Sequence, residues 1–182
     1  MIQLSVIINN IVTMCELVLH TMNDFLDDEL YNKCVLYSIK TLNSTDMTFK
    51  TNHSWDQNVV NDSAVVLIHV LTQETELYIR ITETIQNKLG IHNVKLIQFY
   101  YWLQGSHIPW HDDSCHNGAI TIYLNKNWNE DWGGIFLFKD ENDITGLYPK
   151  PNMAVHLTSG IKHSVSPTTN NSDIRFTIQV FY

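Results

Sequence analysis

Beyond Ile91 the chain breaks into six short runs rich in β-branched and aromatic residues: VKLIQFYYWL, GAITIYLN, GGIFLFKD, ITGLYP, MAVHLTS and DIRFTIQVFY. Clusters of Gly, Pro, Asn and Asp separate them, which is the pattern of a β-sandwich or barrel. Before Ile91 the texture is different. DFLDDELYNKCVLYSIKTLN carries Leu26, Leu30, Cys34, Tyr37 and Leu42 near helical spacing, with acids in its first turn where the helix dipole favours them. TQETELYIRITETIQNKLG repeats the pattern through Leu77, Ile81, Ile85 and Leu89 and closes on Gly90, a C-cap residue. NSTDMTFKTNHSWDQNVVNDS between them is polar and turn-rich, a loop or a short strand pair. The expectation is one α+β domain over 1–182, helical over 1–90 and β-rich over 91–182.

At 182 residues the chain is long enough for one domain with a real core. Its net charge of -8 argues against sequence-independent binding of nucleic acid, which needs a basic surface. Cys15, Cys34 and Cys115 are too few and too scattered for a disulfide framework or a cysteine zinc knuckle, so they read as free thiols. The apolar opening MIQLSVIINNIVTMCELVLH lacks a positive n-region and a small-residue cleavage site, and Asn9, Asn10 and Glu16 interrupt it. No stretch reaches the ~18 uninterrupted apolar residues of a membrane span. A soluble, cytoplasmic protein is expected.

The chemistry concentrates in SHIPWHDDSC, residues 106–115. In an extended PWHDD, His111 and Asp113 share one face and Asp112 points away. An imidazole and a carboxylate are two-thirds of a site for a divalent transition metal. SGIKHSVSP supplies His163 about fifty residues on, whereas His156 sits inside the apolar MAVHLTS and reads as structural. Two histidines and a carboxylate bound on one face leave open coordination positions, the arrangement of non-haem iron(II) oxygenases. In DIRFTIQVFY, alternation separates Ile174, Phe176, Ile178 and Val180 from Arg175, Thr177, Gln179 and Phe181. If the second face lines a barrel interior, the Arg175 guanidinium needs an anion, and a carboxylate suits it through two parallel hydrogen bonds.

H-x-D, a histidine about fifty residues later and an arginine about ten beyond it together resemble the iron(II)- and 2-oxoglutarate-dependent dioxygenases. Y-L-N-x-x-W followed by G-G in ITIYLNKNWNEDWGGIFLF, and the opening DFLDDELYNKC, are similar to the prolyl hydroxylase branch. The resemblance covers most of the chain and is strongest from Tyr100 to Tyr182. It implies a double-stranded β-helix, or jelly roll, of roughly eight strands with the N-terminal helices packed on one sheet. It also implies His111, Asp113 and His163 as iron ligands, and Arg175 and Tyr123 as holders of the distal carboxylate of 2-oxoglutarate. Alternation puts Thr121 on the face of Tyr123, lining the same pocket. One position departs from the pattern. Where prolyl hydroxylases often carry Y-x-x-G ahead of H-x-D, this chain has Trp102-Leu103-Gln104-Gly105 and so lacks that tyrosine hydroxyl.

The activity so implied is hydroxylation of a protein or peptide side chain, proline first, with 2-oxoglutarate and dioxygen consumed and succinate and CO2 released. Ascorbate is a candidate reductant. Asp113 fills the position a halide would need, which favours hydroxylation over halogenation. The nucleic-acid demethylase branch usually carries a second arginine six residues after the first; Phe181 stands there. Neither nucleic acid nor membrane is expected as a partner, and the oligomeric state is open. Three alternatives stand beside this reading: a hydroxylase of small molecules or free amino acids, a hydrolytic zinc enzyme, and a jelly-roll binding protein without turnover.

Overall fold

A computed structural model of the chain describes residues 19–45, 48–51, 65–140 and 143–182. Cys15 and the apolar opening up to residue 18 lie outside the described residues, as does most of the polar segment before Val65.

Helix α1 (Asp28–Leu42) begins where the Asp27 carboxylate accepts the Leu30 N–H at 2.8 Å, and Asp28 and Glu29 fill its first turn. Helix α2 (Glu76–Leu89) is capped by Thr75, whose hydroxyl accepts the Tyr78 N–H, and ends on Gly90 at φ 68°. Both helices fall where the apolar spacing puts them.

Eleven strands among the described residues form two antiparallel sheets, against the roughly eight expected. The larger sheet contains β1 (Leu19–Met22), β2 (Lys50–Thr51), β3 (Val66–Val70), β4 (Leu96–Trp102), β6 (Gly118–Tyr123), β9 (Ala154–Thr158) and β11 (Arg175–Phe181). Its spatial order is β1-β9-β6-β11-β4-β3-β2. The smaller sheet contains β5 (Ile108–His111), β7 (Phe136–Asp140), β8 (Asp143–Leu147) and β10 (His163–Val165), in the order β5-β10-β7-β8. This is the α+β jelly roll with helices on one sheet.

The helical reading of residues 1–90 needs correction, because three strands of the larger sheet come from it. VLIHV of β3 is too short to satisfy its backbone as a helix and pairs with β2 on one side and β4 on the other. Lys50–Thr51 is the only described strand within the segment read as a loop or strand pair.

Strand alternation divides the core in two. On β4, Ile97, Phe99 and Tyr101 face the helices, meeting Leu30, Cys34, Ile81 and Ile85. Tyr100 and Trp102 face the smaller sheet, meeting Ile108, Phe136 and Val165. The split of β11 follows the reading from its alternation: Ile178 and Val180 are buried under the helices, with Ile174 and Phe176 at the edge of that cluster. Each fully buried aliphatic or aromatic side chain contributes roughly 2 kcal/mol. The helix layer is thus held on by packing, while exposed ion pairs such as Lys33–Glu76 add little. Arg175, Thr177 and Gln179 are left facing the space between the sheets, where they are nine-tenths or more buried.

Candidate active site

His111 and His163 are directly opposed residues of the antiparallel pair β5–β10, and their ring centroids are 4.1 Å apart. The register breaks just beyond them. His163 faces His111 and Val165 faces Ile108, so two steps on β10 span three on β5. One extra residue is therefore bulged out at Pro109–Trp110, and proline, which has no N–H to lose from a ladder, is tolerated there. The bulge has a consequence for the site. Ile108 and His111 are three residues apart and would face opposite ways in a regular strand, yet both line the same cavity.

Asp113 joins them by a route that alternation does not describe. The strand ends at His111, and Asp113 takes a left-handed φ of 48°, which aspartate tolerates better than most residues. The surrounding turn holds it there: the Asp112 carboxylate accepts the Ser114 N–H at 3.2 Å, and the His116 N–H donates to the Asp113 carbonyl at 3.0 Å. Asp113 Oδ1 then lies 3.6 Å from His111 Nε2, and Oδ2 lies 3.4 Å from His163 Nε2. The three donor atoms lie within 4.8 Å of one another.

Protonation is set by the backbone. Nδ1 of His111 meets the Pro109 carbonyl at 2.8 Å, and Nδ1 of His163 meets the Ile161 carbonyl at 2.8 Å. A carbonyl only accepts, so each Nδ1 carries the proton and each Nε2 offers a lone pair to the common centre. Burial, and then the neighbouring His163, hold His111 below the ordinary histidine range, which keeps its ring neutral. Burial alone would raise the Asp113 carboxyl. The imidazoles of His163, His111 and His116 that surround the carboxyl outweigh burial and hold it below its ordinary range. Two imidazoles presenting Nε2 and one carboxylate fit a divalent transition metal.

Across a cavity of about 630 Å³ stands Arg175, 1 % exposed. Its guanidinium lies between two rings, 5.1 Å from the Trp102 centroid and 4.9 Å from that of Tyr123. Nη1 donates to the Gly134 carbonyl at 2.7 Å, while Nε is buried without a partner. The Tyr123 hydroxyl is buried beside the guanidinium, and its proton has no acceptor among the described residues. Burial pushes that phenol above its ordinary value, and the adjacent guanidinium offsets part of the rise. A buried cation and an unpartnered hydroxyl together want an anion with acceptor oxygens. The residues present fit the distal carboxylate of a diacid.

Thr121 also lines the cavity, but its hydroxyl is committed to Gln179 Oε1 at 2.8 Å. Trp102, the first residue of the Trp102-Leu103-Gln104-Gly105 stretch, spends its indole N–H on Thr177 Oγ1 at 3.0 Å. Tyr101 cannot replace the missing hydroxyl because it points to the helices; Tyr100 points to the cavity and bonds Gln98 Oε1. His156 is structural, bonded to the Tyr182 hydroxyl. Sequence reasoning gave no role to Gly134, although the G-G pair was in view. Both glycines have positive φ, 68° at Gly133 and 64° at Gly134. A Cβ on Gly134 would stand 2.8 Å from Arg175 Nη1.

Residues 97–182 match the sequence profile of the 2OG-Fe(II) oxygenase superfamily. Among curated protein sequences none matches this chain. Several solved structures share its fold. A Pseudomonas putida prolyl-4-hydroxylase superposes with a TM-score of 0.71 at 14 % identity, over 90 % of this chain and 91 % of its own. A Trichoplax adhaerens prolyl hydroxylase, solved with a hypoxia-inducible-factor peptide fragment, gives 0.74 at 17 % identity over 90 % and 82 %. A viral collagen prolyl hydroxylase from Paramecium bursaria Chlorella virus-1, solved with 2-oxoglutarate, gives 0.61 at 15 % over 90 % and 94 %. The resemblance to the prolyl hydroxylase branch read from the motifs therefore extends to the fold.

Proposed function

We propose that this chain, a jelly roll whose residues 97–182 match the 2OG-Fe(II) oxygenase superfamily, hydroxylates a protein or peptide side chain, proline first. The observation that carries the reading is one cavity with two poles. His111, Asp113 and His163 converge on one wall, and a buried guanidinium without an anion stands on the other. Zinc hydrolysis has no use for the second pole, which sets that alternative aside.

His111 and His163 would hold iron(II) through Nε2, their Nδ1 protons fixed by the Pro109 and Ile161 carbonyls, and Asp113 would supply the anionic ligand. Iron(II) with 2-oxoglutarate supplies, when bound, oxidation of a C–H bond by dioxygen with release of succinate and CO2. Arg175 pairs with the far carboxylate of the cosubstrate, and Tyr123 donates its hydroxyl to the same group. The aromatic rings on either side of the guanidinium and the Gly134 carbonyl keep it from turning away. Ile108, Phe136 and Val165 line the cavity with apolar surface that excludes water from the reacting centre. The choice of a peptide is supported by the Trichoplax adhaerens relative, which was solved with one.

The test is an anaerobic titration of iron(II)-loaded protein with 2-oxoglutarate, followed by visible absorption. A charge-transfer band is expected, lost in His111→Ala and His163→Ala and weakened in Arg175→Ala. Peptide-dependent succinate formation then tests the substrate class. Folded protein that gives no band would sink the reading.

A further inference from the structure

The inner face of the larger sheet carries a polar file across three strands. Gln98 on β4, Gln179 on β11 and Thr121 on β6 are directly opposed partners across three adjacent strands, and all three line the cavity. Opposed residues on one face of a sheet stand close enough to act together, with Cβ atoms about 5 Å apart. Beyond the file lies an apolar border of Leu96, Phe181, Ala119 and Leu157. Before it lies Arg175, four residues or about 14 Å of strand from Gln179.

The hydrogen bonds fix which end of each carboxamide faces inward. The Tyr100 hydroxyl donates to Gln98 Oε1 at 3.0 Å, and the Thr121 hydroxyl donates to Gln179 Oε1 at 2.8 Å. Both amide oxygens are thereby engaged. Gln179 Nε2 gives one N–H to Thr177 Oγ1 at 3.3 Å, an oxygen that also receives the Trp102 indole N–H. The second N–H of Gln179 and both N–H groups of Gln98 have no acceptor among the described residues. What the file shows the cavity is therefore a pair of neutral donors, one of them only 9 % exposed. Donors so placed demand acceptors, because a buried amide N–H left unpaired is costly.

We propose that Gln98 and Gln179 are specificity-determining residues that donate to main-chain carbonyl oxygens of a peptide substrate beside the residue being oxidised. Neutral donors match neutral acceptors. A substrate carboxylate there would not have the Arg175 guanidinium beside it, because Arg175 is a long way down the strand. Thr121 and Tyr100 act through them as positioning residues, holding each carboxamide with its NH2 toward the cavity. This inference rests on the oxygenase reading of the same site.

The test uses full-length, iron(II)-loaded protein with Gln98→Met and Gln179→Met, near-isosteric changes that delete only the hydrogen-bonding ends. Two probes are a repeating Pro-Pro-Gly peptide and a non-repetitive peptide with a single proline; free L-proline is the control. Affinity for 2-oxoglutarate is read by the charge-transfer band, and KM by succinate formation. Each variant is expected to raise the peptide KM about fivefold, the size of one neutral hydrogen bond, with 2-oxoglutarate affinity held. Replacing the carbonyl next to the target proline by a thioamide, a weaker acceptor, should raise KM for the wild type and much less for the double variant. Equal loss of 2-oxoglutarate affinity would overturn the proposal by assigning the pair to the cosubstrate. An unchanged peptide KM would overturn it too. Turnover of free proline but of neither peptide would overturn it while leaving the iron and 2-oxoglutarate reading intact. Absence of the band in the wild type would overturn both.

Discussion

Gly134→Ala tests whether Arg175 is aimed by its surroundings or only by its own charge. The substitution acts in two ways. Alanine at φ 64° meets the left-handed penalty of about 1 kcal/mol. Its Cβ would stand 2.8 Å from Arg175 Nη1, too close for the guanidinium to stay. Displacing it breaks the 2.7 Å bond to the Gly134 carbonyl. A hydrogen bond from a charged donor is worth ~1.5–3 kcal/mol, and Arg175 is buried enough that solvent replaces little of it. A stability loss of about 2–4 kcal/mol follows, together with about 2 kcal/mol of cosubstrate binding, or roughly thirtyfold in affinity. The assay pairs urea unfolding with two titrations of the iron(II)-loaded protein, one with 2-oxoglutarate and one with 2-oxobutanoate, which lacks the far carboxylate. The preference for the diacid should largely collapse in the variant while 2-oxobutanoate binds as before. If the variant loses the stability but keeps the full preference, Gly134 does not position Arg175 and the reasoning fails. Gly133→Ala would be a poorer test: its Cβ would run into the Pro167 carbonyl, a clash with backbone that disturbs the whole turn.

Tyr123→Phe removes a buried hydroxyl whose proton has no acceptor among the described residues. The cosubstrate-free protein should be about 1 kcal/mol more stable by urea unfolding, while 2-oxoglutarate binds about tenfold more weakly in the band titration. Cys34 is fully buried and burial pushes its thiol up to about 12, whereas Cys115 is exposed. Iodoacetamide at pH 8 should label Cys115 and spare Cys34 in native protein, as read by peptide mass mapping; equal labelling would mean α1 is not packed as described. His69 and His156 are both held below the ordinary histidine range by burial, with His20 adding to the effect at His156. The unfolded chain binds protons more readily at these positions, so their contribution is complete above pH ~6.5 and is lost as pH falls below it. The urea midpoint should drop between pH 7.5 and pH 5.5, and less steeply in His69→Gln and His156→Gln.

The elements that were legible in the sequence are those whose signal is local and periodic. Helices α1 and α2 show in their apolar spacing and their caps, and the two faces of β11 show in strict alternation from Ile174 to Phe181. The convergence of His111, Asp113 and His163 was legible for a partly mistaken reason. An extended H-x-D would have placed His111 and Asp113 on one face, but Asp113 is off the strand in a left-handed turn, and His111 faces inward through a bulge at Pro109–Trp110. Neither irregularity has a periodic signature, although a proline beside the histidine is compatible with the bulge. Strand β3 escaped notice because a five-residue run, apolar but for His69, ahead of a helix carries no period to distinguish strand from helix. Gly134 and the Gln98–Gln179 file escaped for another reason: their roles arise from residues 41 and 81 positions away, and only register brings those together.

That register explains why the two poles should fail separately. The proposed metal pole belongs to the smaller sheet and its following turn, where His111 faces His163 across β5–β10. The anchoring pole belongs to the larger sheet, where Arg175 faces Trp102 across β11–β4 and Thr177 faces Tyr123 across β11–β6. Hydrogen bonds that fix the imidazoles come from carbonyls two residues upstream of each, not from the larger sheet. Substitutions at Arg175 or Tyr123 therefore have no path to the metal except through bound cosubstrate, and iron(II) affinity measured without 2-oxoglutarate should not change. A slip of one residue in β5–β10 acts differently. It turns an imidazole out of the cavity and removes the metal, and with it the contact that holds the near end of the cosubstrate, so both affinities fall together. Joint loss of both affinities thus points to the β5–β10 register or its bulge, and loss of the cosubstrate alone points to the larger sheet or to the Gly134 carbonyl that aims Arg175.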